Sequence, residues 1–382
     1  MARPIATLGL ALQTVFADLI QRNLDATFES QFPVSGRFVR RHRGEHGYWY
    51  FEWPERNDAG HLINRSRYVG RASDAEITAR VEHFGTLKTN ALERRRTVAV
   101  LRSAGLPTPP RFIGEVLEAL ADAGVFRLRA TLVGTVAFQT YAGLLGVRLP
   151  VAAAVTADAD IAQFHLISIC VDDTSGKSSR RSIDPILKVL GKVDRTFSAM
   201  AHTGNKAQAA AFMNASGFKV EFLTPNRGSD DHMGKPTLMP ALGGAAAEPL
   251  RFMDFLIYGA LRSVLLHGRG VLVNVPAPER YAVHKTMLSV LRQDRNGAGK
   301  STKDAQQAGI LIEAMAHERR LADVGAVWIE AWEHGPRWRD LLAAGRLRLS
   351  PEQQELLQQA TEVACREGGL DPAQVGYGAG NA

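Results

Sequence analysis

Residues 152–164, AAAVTADADIAQF, place Asp158 and Asp160 two positions apart in a run that is otherwise small or apolar. The run reads as a strand. Side chains alternate across a strand, so both carboxylates leave by one face, about 7 Å apart along the backbone. Ala157, Ala159 and Ile161 point the other way and suit a buried sheet. A strand buried on one face and carrying two charges on the other is costly unless those charges meet solvent or cations. The chain must therefore build a sheet with helices on it and leave this face of the strand at an opening.

The neighbouring segments supply such a sheet. Residues 111–124, RFIGEVLEALADAG, have helical periodicity. VFRLRATLVGT reads as a strand that runs into a tight turn at Gly134-Thr135, and VAFQTYAGLLGV as the helix after it. After the aspartate strand, SSRRSIDPILKVLGK contains a helix, KAQAAAFMNASG reads as another, and FKVEFLTPN is a third strand. A loop rich in Gly, Pro and Ala, residues 225–249, closes the block. Alternation of this kind predicts an α/β (α+β) fold.

On the N-terminal side, residues 5–22 form an amphipathic helix broken by Gln13, Asp18 and Gln21, rather than a signal peptide. A basic patch, RFVRRHRGEHGYWYFEW, contains a strand over Tyr48–Trp53. ERNDAGH turns the chain, and LINRSRYVG returns as a second strand with Arg65, Arg67 and Tyr68. Residues 74–104 are helical, include Arg94, Arg95 and Arg96, and stop at Gly105 before the linker GLPTPPRF. The arginine cluster and the aromatic hairpin could grip RNA or DNA; equally, the first could be a solvated helix face and the second could pack its rings inward. On the C-terminal side the chain is mostly helical, with a strand GVLVNVP and a helix from about Glu279. A last helix has Ser350 as N-cap, Pro351 at its first position, Gln353 as reciprocal cap and Gly368 as its stop. The tail after Leu370 is expected to be loose. The domains expected are 1–110 (helix and hairpin), 111–249 (core) and 250–382 (helical), with no internal repeat.

Several function classes are excluded or disfavoured. Two distant cysteines, Cys170 and Cys365, offer no disulfide framework and suit a reducing cytoplasm. No apolar run has the length of a membrane span, and no His/Cys spacing fits zinc. A net charge of +7 favours an anionic partner. The string NGAGKST looks like a phosphate loop, but that loop needs a glycine five residues before Gly299, and Asp294 stands there. The preceding ERYAVHKTMLSVLRQDR is an amphipathic helix rather than a buried strand. Ser301–Asp304 is expected to cap the next helix, so NGAGK reads as a helix-to-helix loop.

The candidate chemistry gathers around the aspartates. Two carboxylates on one strand face can share divalent ions, as a two-metal phosphoryl-transfer site requires, or can be a solvated strand end. Gly134 allows close backbone approach to a phosphate, and the Thr135 hydroxyl can bind its oxygens. Glu221, between Val220 and Phe222, is either a third functional acid or an edge residue facing water.

Strand, Gly-Thr, helix, then Asp-x-Asp and a further acidic strand is the order in which the polymerase-β-like nucleotidyltransferase superfamily arranges its site, and this chain resembles it. More narrowly it resembles a bacterial family of nucleotidyltransferase-fold proteins, through GVFRLRATLVGTVAF, TADADIA, VEFLTP, VPAPERYAVHK and KSTKDAQQA in this order, with the GYWYFEW…RYVG hairpin. The likeness covers most of residues 45–315. It implies a mixed sheet in the core and two Mg²⁺ held by Asp158, Asp160 and Glu221, with Glu221 also able to take the proton of the attacking hydroxyl. It further implies that Gly134, Thr135 and Lys285 hold the triphosphate of a nucleoside triphosphate, and that Lys303 and Asp304 brace the helices. The implied reaction moves a nucleoside monophosphate to a hydroxyl of RNA (tRNA-like), protein or a small molecule and releases pyrophosphate. A nucleic-acid-binding or regulatory protein on a degenerate version of the fold is the other reading. The chain departs from the pattern in three places: Gly-Thr replaces Gly-Ser, Glu replaces Asp as the third acid, and 23 positions separate Thr135 from Asp158.

Overall fold

The aspartate strand lies inside a seven-stranded mixed sheet, and everything else is arranged around that sheet. The computed structural model describes residues 5–26, 35–56, 61–150, 158–173, 184–200, 209–226, 228, 235–291 and 298–377. The N-terminal part comprises β1 (Ala6–Thr7), α1 (Leu10–Ala26), β2 (Arg37–Arg43), β3 (His46–Arg56), β4 (Leu62–Arg71) and the long α2 (Ala75–Ser103). Then come α3 (Arg111–Ala123), β5 (Thr131–Val133), α4 (Gly134–Phe138), α5 (Tyr141–Leu145), β6 (Val147–Arg148), β7 (Asp158–Ala162), α6 (His165–Asp173), α7 (Ile186–Gly191), β8 (Ser198–Met200), β9 (Ala211–Met213), β10 (Lys219–Pro225), β11 (Thr237–Met239) and β12 (Ala245–Leu250). The C-terminal part contains α8 (Met253–Ile257), β13 (Leu261–Leu265), β14 (Val271–Val275), α9 (Pro278–Leu291), α10 (Ala298–His317), α11 (Leu321–Glu333), α12 (Pro336–Arg346) and α13 (Pro351–Gly368).

The main sheet has the order β11-β12-β10-β7-β5, and β9, which itself pairs with β8, joins the start of β10. β7, β10 and β12 run parallel, while β5 and β11 are antiparallel to their neighbours. The mixed sheet expected for the core is present. Ala159, Ile161, Val220 and Phe222 are buried, at 1% exposure or less. They belong to one apolar cluster that runs from Ile113 on α3 to Ala360 on α13. A second cluster joins Phe16 and Leu19 of α1 to Val98 and Leu101 of α2 and to Val264 and Leu266.

Several elements differ from the sequence reading, each for a physical reason. The stretch before Asp158, residues 151–157, lies outside the described residues. VFRLRATLVGT is a strand only from Thr131; residues 124–129 form turns instead, held by the Asn274 side-chain amide, which donates to the Phe126 and Ala130 carbonyls at 2.8 Å. VAFQTYAGLLGV is two short helices, α4 and α5. In KAQAAAFMNASG, residues 206–208 are outside the described set, and Ala211–Met213 is a strand, not a helix. Pairing with β10 and the burial of Phe212 against Phe222 override the helical propensity of alanine. The Asn214 carbonyl oxygen of the side chain accepts from the Phe218 amide and shapes the turn between β9 and β10. The supposed loop 225–249 contains β11 and β12; the buried Ala245, Ala246 and Ala247 of β12 carry little strand signal of their own.

The basic patch is itself a strand, β2, so the hairpin is a three-stranded sheet, β2-β3-β4. The first helix starts at Leu10, not at residue 5, because Ala6–Thr7 pairs with Val147–Arg148. Arg94 is buried and donates to the Arg22 carbonyl, so it braces α1 rather than facing an outside ligand. The capping box at Ser350 and Gln353 forms, but the C-cap is Gly369. The C-terminal tail is docked up to Tyr377: Val375 is buried and its carbonyl accepts from the Trp328 indole. Among the described residues, no helix is long and apolar enough to cross a membrane.

Helix α11 crosses α13 at Gly325, where an added Cβ would stand 2.0 Å from the Ala360 carbonyl oxygen. Gly325→Ala gains about 1 kcal/mol of helix propensity. The backbone overlap forces the helices apart and outweighs it, so a net loss of about 1–3 kcal/mol is expected. In exposed α2, Gly85 has open space where its Cβ would stand. Gly85→Ala should stabilise the protein by about 0.5–1 kcal/mol. Urea unfolding midpoints of the two variants should move in opposite directions.

Candidate functional site

Asp158 and Asp160 are half-buried on the same face of β7. In the parallel pairing with β10, Asp160 is in register with Glu221 and Asp158 with Lys219. Both aspartates therefore have a charged neighbour one strand away, about 5 Å off at the backbone. Glu221 is half-buried between the fully buried Val220 and Phe222, and its carboxylate accepts from Lys219 Nζ at 2.5 Å. On the other side of β7, Asp160 is opposite Val133, the last residue of β5.

The chain turns sharply straight after Val133. Gly134 has φ +68°, and a Cβ there would lie 2.8 Å from Asp160 Oδ2. Two constraints thus select glycine: a left-handed backbone and the nearness of a carboxylate. The bend is tied to the C-terminal helices. Tyr281 on α9 is fully buried, with its hydroxyl 3.0 Å from the Gly134 carbonyl oxygen and 2.9 Å from Gln307 Oε1 on α10. Gln307 in turn reaches Thr135, with its side-chain amide 3.5 Å from the hydroxyl oxygen.

A cleft of about 400 Å³ opens over this face. Gly134, Thr135, Asp158, Asp160, Glu221 and Lys285 all line it, so the six positions singled out in the sequence meet in one place. Cationic side chains from distant elements share the lining and make up its cationic wall: Arg251 after β12, Lys300 and Lys303 on α10, and Arg337 on α12. Lys303 stands out in the sequence only as part of a helix brace; Arg251, Lys300 and Arg337 do not stand out, because each is one basic residue among many and only tertiary folding collects them. Lys300 had the best available signal, since it belongs to NGAGKST. The loop expected over NGAGK is helix from Ala298 onward, Asn296 and Gly297 lie outside the described residues, and Ser301 is inside α10 rather than its cap; the Ser301 hydroxyl donates to the Ser289 carbonyl. Phe252, Met253, Leu256 and Leu288 give the cleft an apolar part.

Lys285 and Asp304 form a buried ion pair, Nζ to Oδ1 at 2.5 Å, with side chains 7% and 3% exposed. The expected brace between α9 and α10 therefore involves Asp304 with Lys285, not Asp304 with Lys303. Lys303 has its ammonium pKa lowered, first by burial and then by the nearby Lys285 charge, while Asp158 and Asp304 act in the opposite direction. Lys303 is thus electrostatically linked to Asp158.

Among the described residues, no three His, Cys, Asp or Glu side chains form a ready-made metal cluster. The donor set is nevertheless all oxygen and doubly or triply anionic, which suits a hard divalent cation such as Mg²⁺. Lys219 occupies the Glu221 carboxylate and supplies the positive charge there.

Removing one member of the buried pair strands the other charge. Asp304→Asn and Lys285→Met should each cost about 3–5 kcal/mol, and the double variant Lys285→Met/Asp304→Leu much less than their sum. Chemical unfolding of the three variants measures this. Gly134→Ala should retain the fold at a cost of about 1–3 kcal/mol while disturbing the Asp160 carboxylate.

A nucleotidyltransferase family matches residues 111–333, from the first residue of α3 to the last of α11. Comparison with curated proteins and with solved structures returned no match. The matched span holds the whole sheet, the aspartate strand, the glycine bend, Glu221 and the lysines of α9 and α10, which is more than half of the chain. The chain belongs to this nucleotidyltransferase family.

Proposed function

We propose that the protein transfers a nucleoside monophosphate from a nucleoside triphosphate to an acceptor hydroxyl, with release of pyrophosphate, in a Mg²⁺-dependent reaction. The observation that carries this reading is the register of β7 and β10, which sets Glu221 beside Asp160 on the face that also bears Asp158, at the bend of Gly134. An anionic floor and a cationic wall in one cleft suit a ligand that is itself a polyanion with bound cations.

Asp158 and Asp160 would hold the cations, with Glu221 as a third donor. Bound Mg²⁺ would neutralise charge on the reacting phosphate and leaving group. Arg251, Lys300, Lys303 and Arg337 would orient the triphosphate, and the Gly134 backbone and Thr135 hydroxyl would limit its approach to one direction. Lys285, held by Asp304, would contribute a fixed positive charge to that wall. The acceptor oxygen attacks the α-phosphorus as the bond to the bridging oxygen of the β-phosphate breaks. The acceptor proton would pass to Glu221. The protein's contribution is position and electrostatics rather than a covalent intermediate.

Asp158→Asn/Asp160→Asn should fold at least as stably as the wild type, because it removes repelling charges, and lose transfer of label from an α-labelled triphosphate by about 10²-fold or more. Retained transfer by a correctly folded double variant removes the mechanism. Chelation of divalent ions should abolish transfer, and added Mg²⁺ should restore it. Lys303 offers a second readout. With its ammonium pKa lowered, it should react faster with an acylating reagent at mildly alkaline pH than exposed lysines do. A bound triphosphate with Mg²⁺ should slow this reaction, as peptide mass spectrometry would show.

A further inference from the structure

The sheet β2-β3-β4 lies outside the matched family span and takes no part in the cleft. One of its faces is accounted for. Phe38 and Phe51 pack edge-on against Phe84 of α2, the Trp49 indole donates to the Thr78 hydroxyl, and Gly70 lets Ile77 of α2 lie against the strand. Strand alternation sends the intervening residues to the other face. There Tyr48, Tyr50 and Tyr68 form a cluster, with ring centroids 6.2 Å (Tyr48–Tyr68) and 5.6 Å (Tyr50–Tyr68) apart. The rings are inclined to each other by 51° and 70°, so neither pair is stacked flat. Tyr68 is 54% exposed.

Charge surrounds the rings. The described residues of β2, β3, β4 and their turns carry eight arginines and three glutamates, with no lysine. On the tyrosine face, Arg41 sits 4.7 Å from the centre of the Tyr50 ring, and Arg71 is opposite Tyr48 in the register. Glu52 is engaged by both Arg37 and Arg41, so the acid on this face is already neutralised. An acidic protein surface or an anionic membrane would answer the charge. Neither explains three adjacent tyrosines on two neighbouring strands, set among arginines. A single strand of nucleic acid answers both, with phosphates on guanidinium groups and bases on aromatic rings.

We infer that the β2-β3-β4 face is a binding platform for single-stranded nucleic acid, with Tyr48 and Tyr68 stacking bases, Tyr50 backing Tyr68 and Arg41, and Arg41 and Arg71 contacting phosphates. The platform is separate from the cleft. Its helix contacts are at Ile77, Thr78 and Phe84, whereas α2 joins the cluster with α1 at Val98 and Leu101. The twenty-two residues of helix from Ile77 to Val98 span about 30 Å. The inference therefore does not rest on nucleotidyl transfer, and it can fail or hold by itself.

The test is fluorescence anisotropy of the full-length protein with labelled oligouridylate and oligothymidylate of about 12 nucleotides, a length within the span such surfaces take. Binding should be strong at low salt and weaken as salt rises. Tyr48→Ala/Tyr68→Ala should weaken it about tenfold or more, and Tyr48→Phe/Tyr68→Phe should leave it near wild type. Arg41→Ala/Arg71→Ala should lower the slope of log affinity against log salt by about 1.4. Asp158→Asn/Asp160→Asn should bind as the wild type does, which separates this platform from the cleft. A preference for oligouridylate would identify RNA as the ligand; equal binding would identify a backbone-tolerant single-strand site. The inference is overturned if no oligonucleotide binds at low salt. It is also overturned if the tyrosine-to-alanine variant binds like the wild type with an unchanged unfolding midpoint, or if only polyglutamate or phosphatidylserine vesicles are retained.

Discussion

Three carboxylates on two neighbouring strands repel one another, and the arrangement of charge around the cleft follows from that repulsion. Asp160 and Glu221 are in register on β7 and β10, and Asp158 shares their face. Two unit charges about 5 Å apart at an effective dielectric near 20 cost about 3 kcal/mol. An apolar lid over this face would raise that cost. The fold instead opens the face to a cleft and brings ammonium groups to it from several directions. Lys219 engages Glu221 from within the strand, and Lys303 approaches Asp158 from α10.

Helices α9 and α10 hold the cationic wall in position, and their own link is electrostatic. The Lys285–Asp304 pair lies between them in a nearly dry setting. Isolated, either charge would be a large penalty; together they fix the rotation of one helix against the other. Tyr281 and Gln307 extend the link to the Gly134 carbonyl and Thr135. The glycine bend, the aspartates and the lysines are therefore one mechanically connected unit. Displacing α10 would move Lys300 and Lys303 and loosen the bend as well.

The sequence discloses strands and site residues where periodicity and charge conflict. Asp158, Asp160 and Glu221 are visible because a charge in an apolar run calls for a reason, and the structure sets them side by side. Asp-x-Asp also fixes strand geometry by alternation alone. Elements built from alanine gave no such conflict. Ala211–Met213 looks helical and Ala245–Leu250 looks like a loop, because small residues take their structure from what pairs with them. The cationic wall was the least legible part. Arg251, Lys300 and Arg337 come from three elements far apart in the chain, and nothing local distinguishes them from other basic residues. Arg94 shows the converse error: in sequence it belongs to a basic cluster, yet in space it is buried and hydrogen-bonded to α1.

The string NGAGKST shows how one physical requirement can be met by two architectures. A phosphate loop neutralises its ligand with backbone amides wrapped around it and one lysine. Here the glycine spacing is wrong, and Lys300 lies in the first turn of α10. Yet Lys300 and Lys303 both line the cleft, one helical turn apart and hence on the same side of α10. Positive charge reaches the site through long side chains on a rigid helix rather than through loop amides. Lys303 is partly buried, and both burial and the Lys285 charge disfavour its ammonium form, which Asp158 and Asp304 favour. Cleft and wall are thus linked at Lys303, whose charge the acids of the cleft support.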